Sequence, residues 1–285
     1  MISPRVVLDA AAFGALVPAA VTLAVAGLWL WRGWRAAEDG GALAAAAGLA
    51  AGWAALAASR QIDWEFLTPA DAWDWLLPLA LVALAAGVAE RRLAPPAQWA
   101  LRLAVAAAAA WRLVSAQPAA SPVSAGWYAG LGVGVLALWG ALDPAARRWP
   151  GVWLPAMLTA AVGGAAAILE FSGNLKFAQL AGVLAAVLAG CAALAWWRPS
   201  VALVRGAVPA LAVMLPGLLF EGFVNNYGEV PAASFLLALA TPLFLGAAAW
   251  LPAGGRLGRW RPALRVAALV PILVGVALAV ATYFR

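Results

Sequence analysis

Histidine is missing from all 285 residues, and cysteine and lysine occur once each, as Cys191 and Lys176. The missing imidazole removes His-ligated haem and zinc, Ser-His-Asp chemistry and histidine proton relays together. A lone cysteine excludes an intrachain disulfide, and its place inside an apolar run marks a buried, inert thiol. Charge is also scarce. Only 11% of residues are Asp, Glu, Lys or Arg, against roughly a quarter in soluble domains. So few charges do not cover a water-facing surface. The net charge of +6 does not indicate nucleic acid as a partner, because no basic arm or tract with interleaved aromatics is present. No cofactor is expected. Nor is a cleavable leader, because the first apolar run has one arginine before it and several after it, the reverse of a signal peptide.

What fills the chain instead is Ala, Leu, Val and Gly, giving 66% hydrophobic residues and a mean hydropathy of +0.92. Continuous apolar runs of about 18 to 22 residues match the length of a helix that crosses a bilayer. Spanning segments in lipid are helices or closed barrels, and a barrel would alternate polar and apolar residues. The fold class is therefore an all-α polytopic membrane protein, one transmembrane domain over residues 1–285 with no soluble domain. Ten spans are expected, near 11–31, 41–59, 73–89, 97–114, 125–142, 151–171, 176–197, 201–223, 231–251 and 263–283. The two weakest are the Ala-rich second and the fourth, which contains Arg102.

Arginine gives the expected orientation. Alternate connections hold Arg32 and Arg35; Arg91, Arg92 and Arg102; Arg147 and Arg148; Arg198 and Arg205; and Arg256, Arg259, Arg261 and Arg265, which is 13 of the 18 basic residues. The positive-inside rule places these connections in the cytoplasm and the chain in the plasma (inner) membrane. Ten spans then form five successive hairpins with both termini on the extracytoplasmic side. Tryptophans near the span ends fit an interfacial belt, with Trp53 the mid-span exception. Gly130, Gly132, Gly134, Gly163 and Gly164 are expected to let helices approach closely.

The candidate site lies on the acidic, outer side. Glu170-Phe-Ser-Gly-Asn174 and Glu221-Gly-Phe-Val-Asn225 share the pattern E-x-x-x-N, 51 residues apart, and Asn226 completes the chain's asparagines. In a continuous helix, residues four apart share a face. Each pair would then project a carboxylate and an amide together, a chemistry suited to a cation, a proton or a hydroxylated solute. The candidate ligand-binding residues are Glu170, Asn174, Glu221, Asn225 and Asn226. The other reading of the same residues is that they cap helices and end turns, as Asn226-Tyr-Gly suggests. Lys176 is expected to pair with an acid across its loop. Arg112, near an outer span end, is expected either to snorkel to the interface or to pair with Glu170 or Glu221.

Three functions follow. The first is a small-solute or ion transporter or channel using the outer polar site. The second is a non-catalytic membrane subunit or scaffold with a protein partner in the membrane. The third rests on Asp63 and Glu65. Their D-x-E spacing in an outer loop resembles the acidic pair of membrane glycosyltransferases of the polyprenyl-phosphate-sugar type, which implies a metal-bound, lipid-linked phosphate substrate. An enzyme is the less favoured class. The expected partners are the lipid bilayer, a small solute or cation, and a membrane protein.

Overall fold

A computed structural model describes residues 12–32, 37–59, 62, 71–117, 125–149, 151–198, 203–250 and 261–284. Among these, every regular element is helical. Helix α1 (Val17–Trp31) follows a π-helical turn, and α2 (Ala37–Ala58) comes next. A 3-10 turn (Ala72–Trp75) leads into α3 (Leu76–Glu90), followed by α4 (Pro95–Ser115) and α5 (Ala125–Arg148). Then come α6 (Trp153–Phe171), α7 (Leu175–Trp197), α8 (Leu203–Val224) and α9 (Ala232–Ala248). A short α10 (Arg261–Ala267) and α11 (Val270–Tyr283) close the order, separated by a turn just before Pro271. The loop carrying Asp63 and Glu65 lies outside the described residues, as do Arg35, Arg256 and Arg259.

Among the described residues, eight helical stretches are long and apolar enough to cross a membrane. They are Phe13–Trp31, Glu38–Ala58, Ala72–Glu90, Ala125–Arg148, Trp153–Phe171, Leu175–Trp197, Leu203–Val224 and Ala263–Tyr283. The chain is thus a multi-pass integral membrane protein by the length and composition of its helices. Two of the ten expected spans fall short of that measure. Helix α9 is apolar but only 17 residues long, and α4 carries Arg102, Arg112 and Gln98 along 21 residues.

Helix α8 stands at the centre. It packs against α2, α3, α4, α5, α6, α7 and α9, and it is buried from Leu203 to Gly222 except at Arg205. A helix apolar on all sides belongs inside a bundle rather than on its surface. Its Pro209 and Pro216 are accommodated because Gly87 of α3 lies against Pro209 and the groove beside Pro216 is open. At its start, α8 touches α2 backbone to backbone. A Cβ on Gly206 would collide with the main chain of Glu38 and Ala42, and one on Gly41 with the carbonyl of Leu203. Only glycine allows that approach. The glycines singled out in the sequence behave unevenly. Gly164 presses on Ile272 of α11, whereas Gly130 and Gly163 face open space. The tight contacts fall at less obvious glycines because partner position, not glycine spacing, sets them.

Helix α1 lies against α2 and α7, and α6 against α7. Hydroxyls in the apolar interior bond their own helix. Thr22, Thr159 and Thr241 donate to the carbonyls of Pro18, Pro155 and Leu237 at 2.7–2.8 Å, which satisfies each hydroxyl within its own helix.

Candidate functional site

At one end of the bundle, α8 and its following loop meet the turn between α6 and α7. Helix α6 stops at Phe171 in a Schellman turn. Gly173 has φ +82°, its N–H donates to the Glu170 carbonyl at 3.0 Å, and the Asn174 N–H donates to the Leu169 carbonyl at 3.1 Å. Glycine at this position is the usual stop. The helix therefore does not continue from Glu170 to Asn174, and the shared face expected from their spacing is not formed. Glu170 is exposed, while Asn174 is buried.

The Asn174 amide is turned to structural use. Its Nδ2 donates to the Ser172 Oγ at 3.0 Å and to the Asn225 carbonyl at 2.7 Å. From the other side, the N–H groups of Tyr227 and Gly228 both donate to the Ser172 carbonyl at 3.0 Å. Gly228 has no room for a Cβ against Phe171 and Ser172. The loops after α6 and α8 are thus clasped together. Asn225 Nδ2 donates back to the Glu221 carbonyl at 2.9 Å, and Asn226 closes the loop with Val230 through both side-chain atoms. Within this loop Glu229 adopts φ +52° and is exposed. All three asparagines hold backbone.

Glu221 differs from its neighbours. It is 2% exposed, and its Oε1 accepts from Gln117 Nε2, at the end of α4, at 2.7 Å. The ion pairs of the described residues do not include it. A carboxyl on a central membrane helix, held by an amide rather than a cation, is suited to take a proton or a small cation. The structure thus brings Asn174 and Asn225 together, keeps Glu221 on the α4 side of α8, and leaves Glu170 outside. Arg112 does not join this group. Its guanidinium stacks on Trp75 and Trp111, each 4.4 Å to the ring centre. Lys176 lies over the Trp73 ring at 3.3 Å.

A larger polar centre occupies the opposite, arginine-rich end, and the sequence reading had no place for it. Arg102 makes a two-point bond to Glu90 at 2.7 and 2.8 Å and reaches Asp143 at 3.1 Å. Arg205 donates to Asp143 at 2.7 Å and to both oxygens of Glu38 at 2.6 Å. Arg91 bonds Asp39 and lies 3.5 Å from Glu38, and Arg147 meets Asp143 at 2.9 Å. Four acids and four arginines from α2, α3, α4, α5 and α8, with Arg91 just beyond α3, are cross-linked. Glu90, Arg102 and Asp143 are each less than a tenth exposed. Trp99 and Trp139 add rings 5.2 and 5.5 Å from the Arg102 guanidinium. The weak fourth span is explained here, because its arginine enters the bundle already paired. The available sequence signal was an acid beside three of the arginine-bearing connections: Glu38 and Asp39 after Arg35, Glu90 before Arg91, and Asp143 before Arg147.

Among the described residues, no group of three His, Cys, Asp or Glu side chains is placed to hold a metal ion. An apolar cavity of about 260 Å³ opens between α5, α8 and α9, lined by Trp127, Leu131, Pro216, Phe220, Phe223 and Phe235 among others. Trp127 packs at 5.3 Å from both Phe220 and Phe223. On a helix turning about 100° per residue, the cavity face of α8 is far round from Glu221, so an occupant of this cavity does not meet the carboxyl. Comparison of the chain with family models, curated proteins and solved structures finds no match.

Proposed function

We propose that this membrane protein is a carrier or channel for a small cation or a protonated small solute, with Glu221 and Gln117 at its binding point. One observation carries the reading. Glu221 is a buried acid on the central helix, against which seven others pack, and an amide, not a base, faces it. Ionisable groups kept in this way inside membrane bundles mark ion and proton paths. The arginine-rich end supports the same reading, because its ion pairs seal one side of the bundle while the acid sits towards the other. Of the five candidate residues, Glu221 is the ligand group in this proposal, and Asn174, Asn225 and Asn226 shape the loop above it. The positive-inside rule and ten crossings would put Glu221 near the extracytoplasmic face of the plasma membrane, with the ion-paired end in the cytoplasm.

The test uses the full chain in liposomes under imposed proton and sodium gradients, with internal pH and sodium read by dyes. Flux is expected from the wild type and not from Glu221→Gln, with equal melting temperatures for the two proteins. Equal flux from both sinks the proposal, as does a wild type with no flux under either gradient. In that last case the second reading gains: a non-catalytic subunit whose aromatic cavity between α5, α8 and α9 receives a partner's apolar side chain. Its mark would be co-purification of a defined membrane partner that Gly134→Phe releases.

A further inference from the structure

We infer that Arg112 is a phosphate-binding point, filled in the bilayer by the headgroup of an anionic phospholipid. It is the arginine of α4 that the interior does not use. Arg102, earlier on the same helix, turns inward to Glu90 and Asp143. Among the described residues Arg112 makes no ion pair, and its side chain donates no hydrogen bond. The guanidinium is held all the same, 4.4 Å from the ring centres of both Trp75 and Trp111. Trp111 is its neighbour on α4. Trp75 comes from the 3-10 turn before α3, which packs on α4. That turn is itself fixed, because the Asp71 N–H donates to the Asp74 carboxylate at 3.1 Å and Trp73 Nε1 donates to the Asp71 carboxylate at 3.0 Å.

Ring contact engages the face of a guanidinium and leaves the N–H donors along its edge. Those donors are not enclosed. Arg112 is half-buried, and none of its nitrogens is among the buried polar atoms that lack a partner. A planar cation held in place with its donors open matches the paired oxygens of a phosphate. The surroundings favour a lipid phosphate over a free one. Leu103, Ala104, Ala107, Ala108 and Trp111 are exposed on α4 at the spacing of one helix face, so an apolar lane for an acyl chain leads up to the arginine. Trp111, 55% exposed, is the kind of ring found at a membrane boundary. A single open guanidinium holds a free anion weakly in water, whereas a headgroup anchored by its chains is already concentrated at that boundary. With no acid paired to it, Arg112 fits a net-negative headgroup better than one that carries its own cation.

The experiment takes the full chain purified in detergent and stripped of lipid. Phosphatidylglycerol, phosphatidylcholine with the same acyl chains, or inorganic phosphate is added back, and retention is read by native mass spectrometry alongside melting temperature. The wild type should keep phosphatidylglycerol at severalfold lower concentration than phosphatidylcholine. Arg112→Gln should erase that preference while melting as the wild type does in lipid-free detergent. Trp111→Leu, which leaves the charge but loosens the guanidinium, should reduce the preference, and it carries the test alone if Arg112→Gln does not fold. Arg92→Gln, at an exposed arginine of the opposite end, should leave the preference intact. Inorganic phosphate should give no shift, because it brings no chain. Equal retention of the two lipids by the wild type overturns the inference. So does a preference that survives Arg112→Gln or is indifferent to Trp111→Leu, one that Arg92→Gln removes as fully, or a shift with inorganic phosphate as large as with the lipid.

Discussion

The two ends of this bundle treat charge in opposite ways. At the arginine-rich end, four acids and four arginines from five helices are cross-linked, and each has an opposite charge in contact. At the other end, a single acid is buried against an amide, and the surrounding polar side chains bond backbone carbonyls. The first arrangement fixes helix positions, because every group has a partner that it loses on movement. The second leaves an acid with no cation among its ion pairs, the group that our proposal makes the binding point. The two arrangements share the same central helix: Arg205 near the start of α8 belongs to the first, and Glu221 near its end to the second.

Substitutions can break or sharpen this contrast. The largest effect is expected from Arg102→Ala, which leaves Glu90 and part of Asp143 buried without their cation. Breaking a buried pair costs about 3–5 kcal/mol, so the melting temperature in detergent should collapse, whereas Arg147→Ala, on an arginine that is half exposed, should cost less than about 1 kcal/mol. Similar losses for the two would mean that the network is not a clamp. Next comes Gly206→Ala, which pushes α8 from α2 and draws Arg205 from Glu38. Overpacking of this kind costs roughly 1–3 kcal/mol, and Gly130→Ala, facing open space, should melt as the wild type does. Asn174→Ala should cost about 1–2 kcal/mol through the lost loop clasp, seen as faster hydrogen exchange at Tyr227 and Gly228. An unchanged rate there would mean that the loops are held by other contacts. Glu221→Gln should leave stability within about 1 kcal/mol, since an amide keeps the bond to Gln117 and sheds a buried charge. A large loss would mark Glu221 as a structural ion after all. The smallest effect is expected from exposed Glu170→Gln, within about 0.5 kcal/mol.

The helices were readable because lipid imposes one rule on every span: about 20 apolar residues with internal hydrogen bonds. Each expected span contains a helix, even α4, where Arg102 argued against one. The site was less readable, for two reasons. Spacing of E-x-x-x-N assumed a continuing helix, and Gly173 ended it. The sequence contained that stop, but a pattern of two shared letters masked it. The ion network was invisible for a different reason. Arginines mark the side of the membrane, and an acid beside them in sequence does not say which cation it meets. Their pairings join Arg205 to Glu38 across 167 residues and Arg102 to Asp143 across 41, and no local pattern states which arginine turns inward to which acid.

The central position of α8 also has a consequence for how the chain is made. Seven helices precede it in order of synthesis, and α2, α3 and α5 bury the faces that it later covers. Until residue 224 has left the ribosome and entered the bilayer, those faces meet lipid or one another, and Glu38 and Asp143 wait for the guanidinium that Arg205 brings. Assembly is therefore a late event, completed when a single helix inserts among partners already in place, and a nascent chain halted before α8 has a vacant axis.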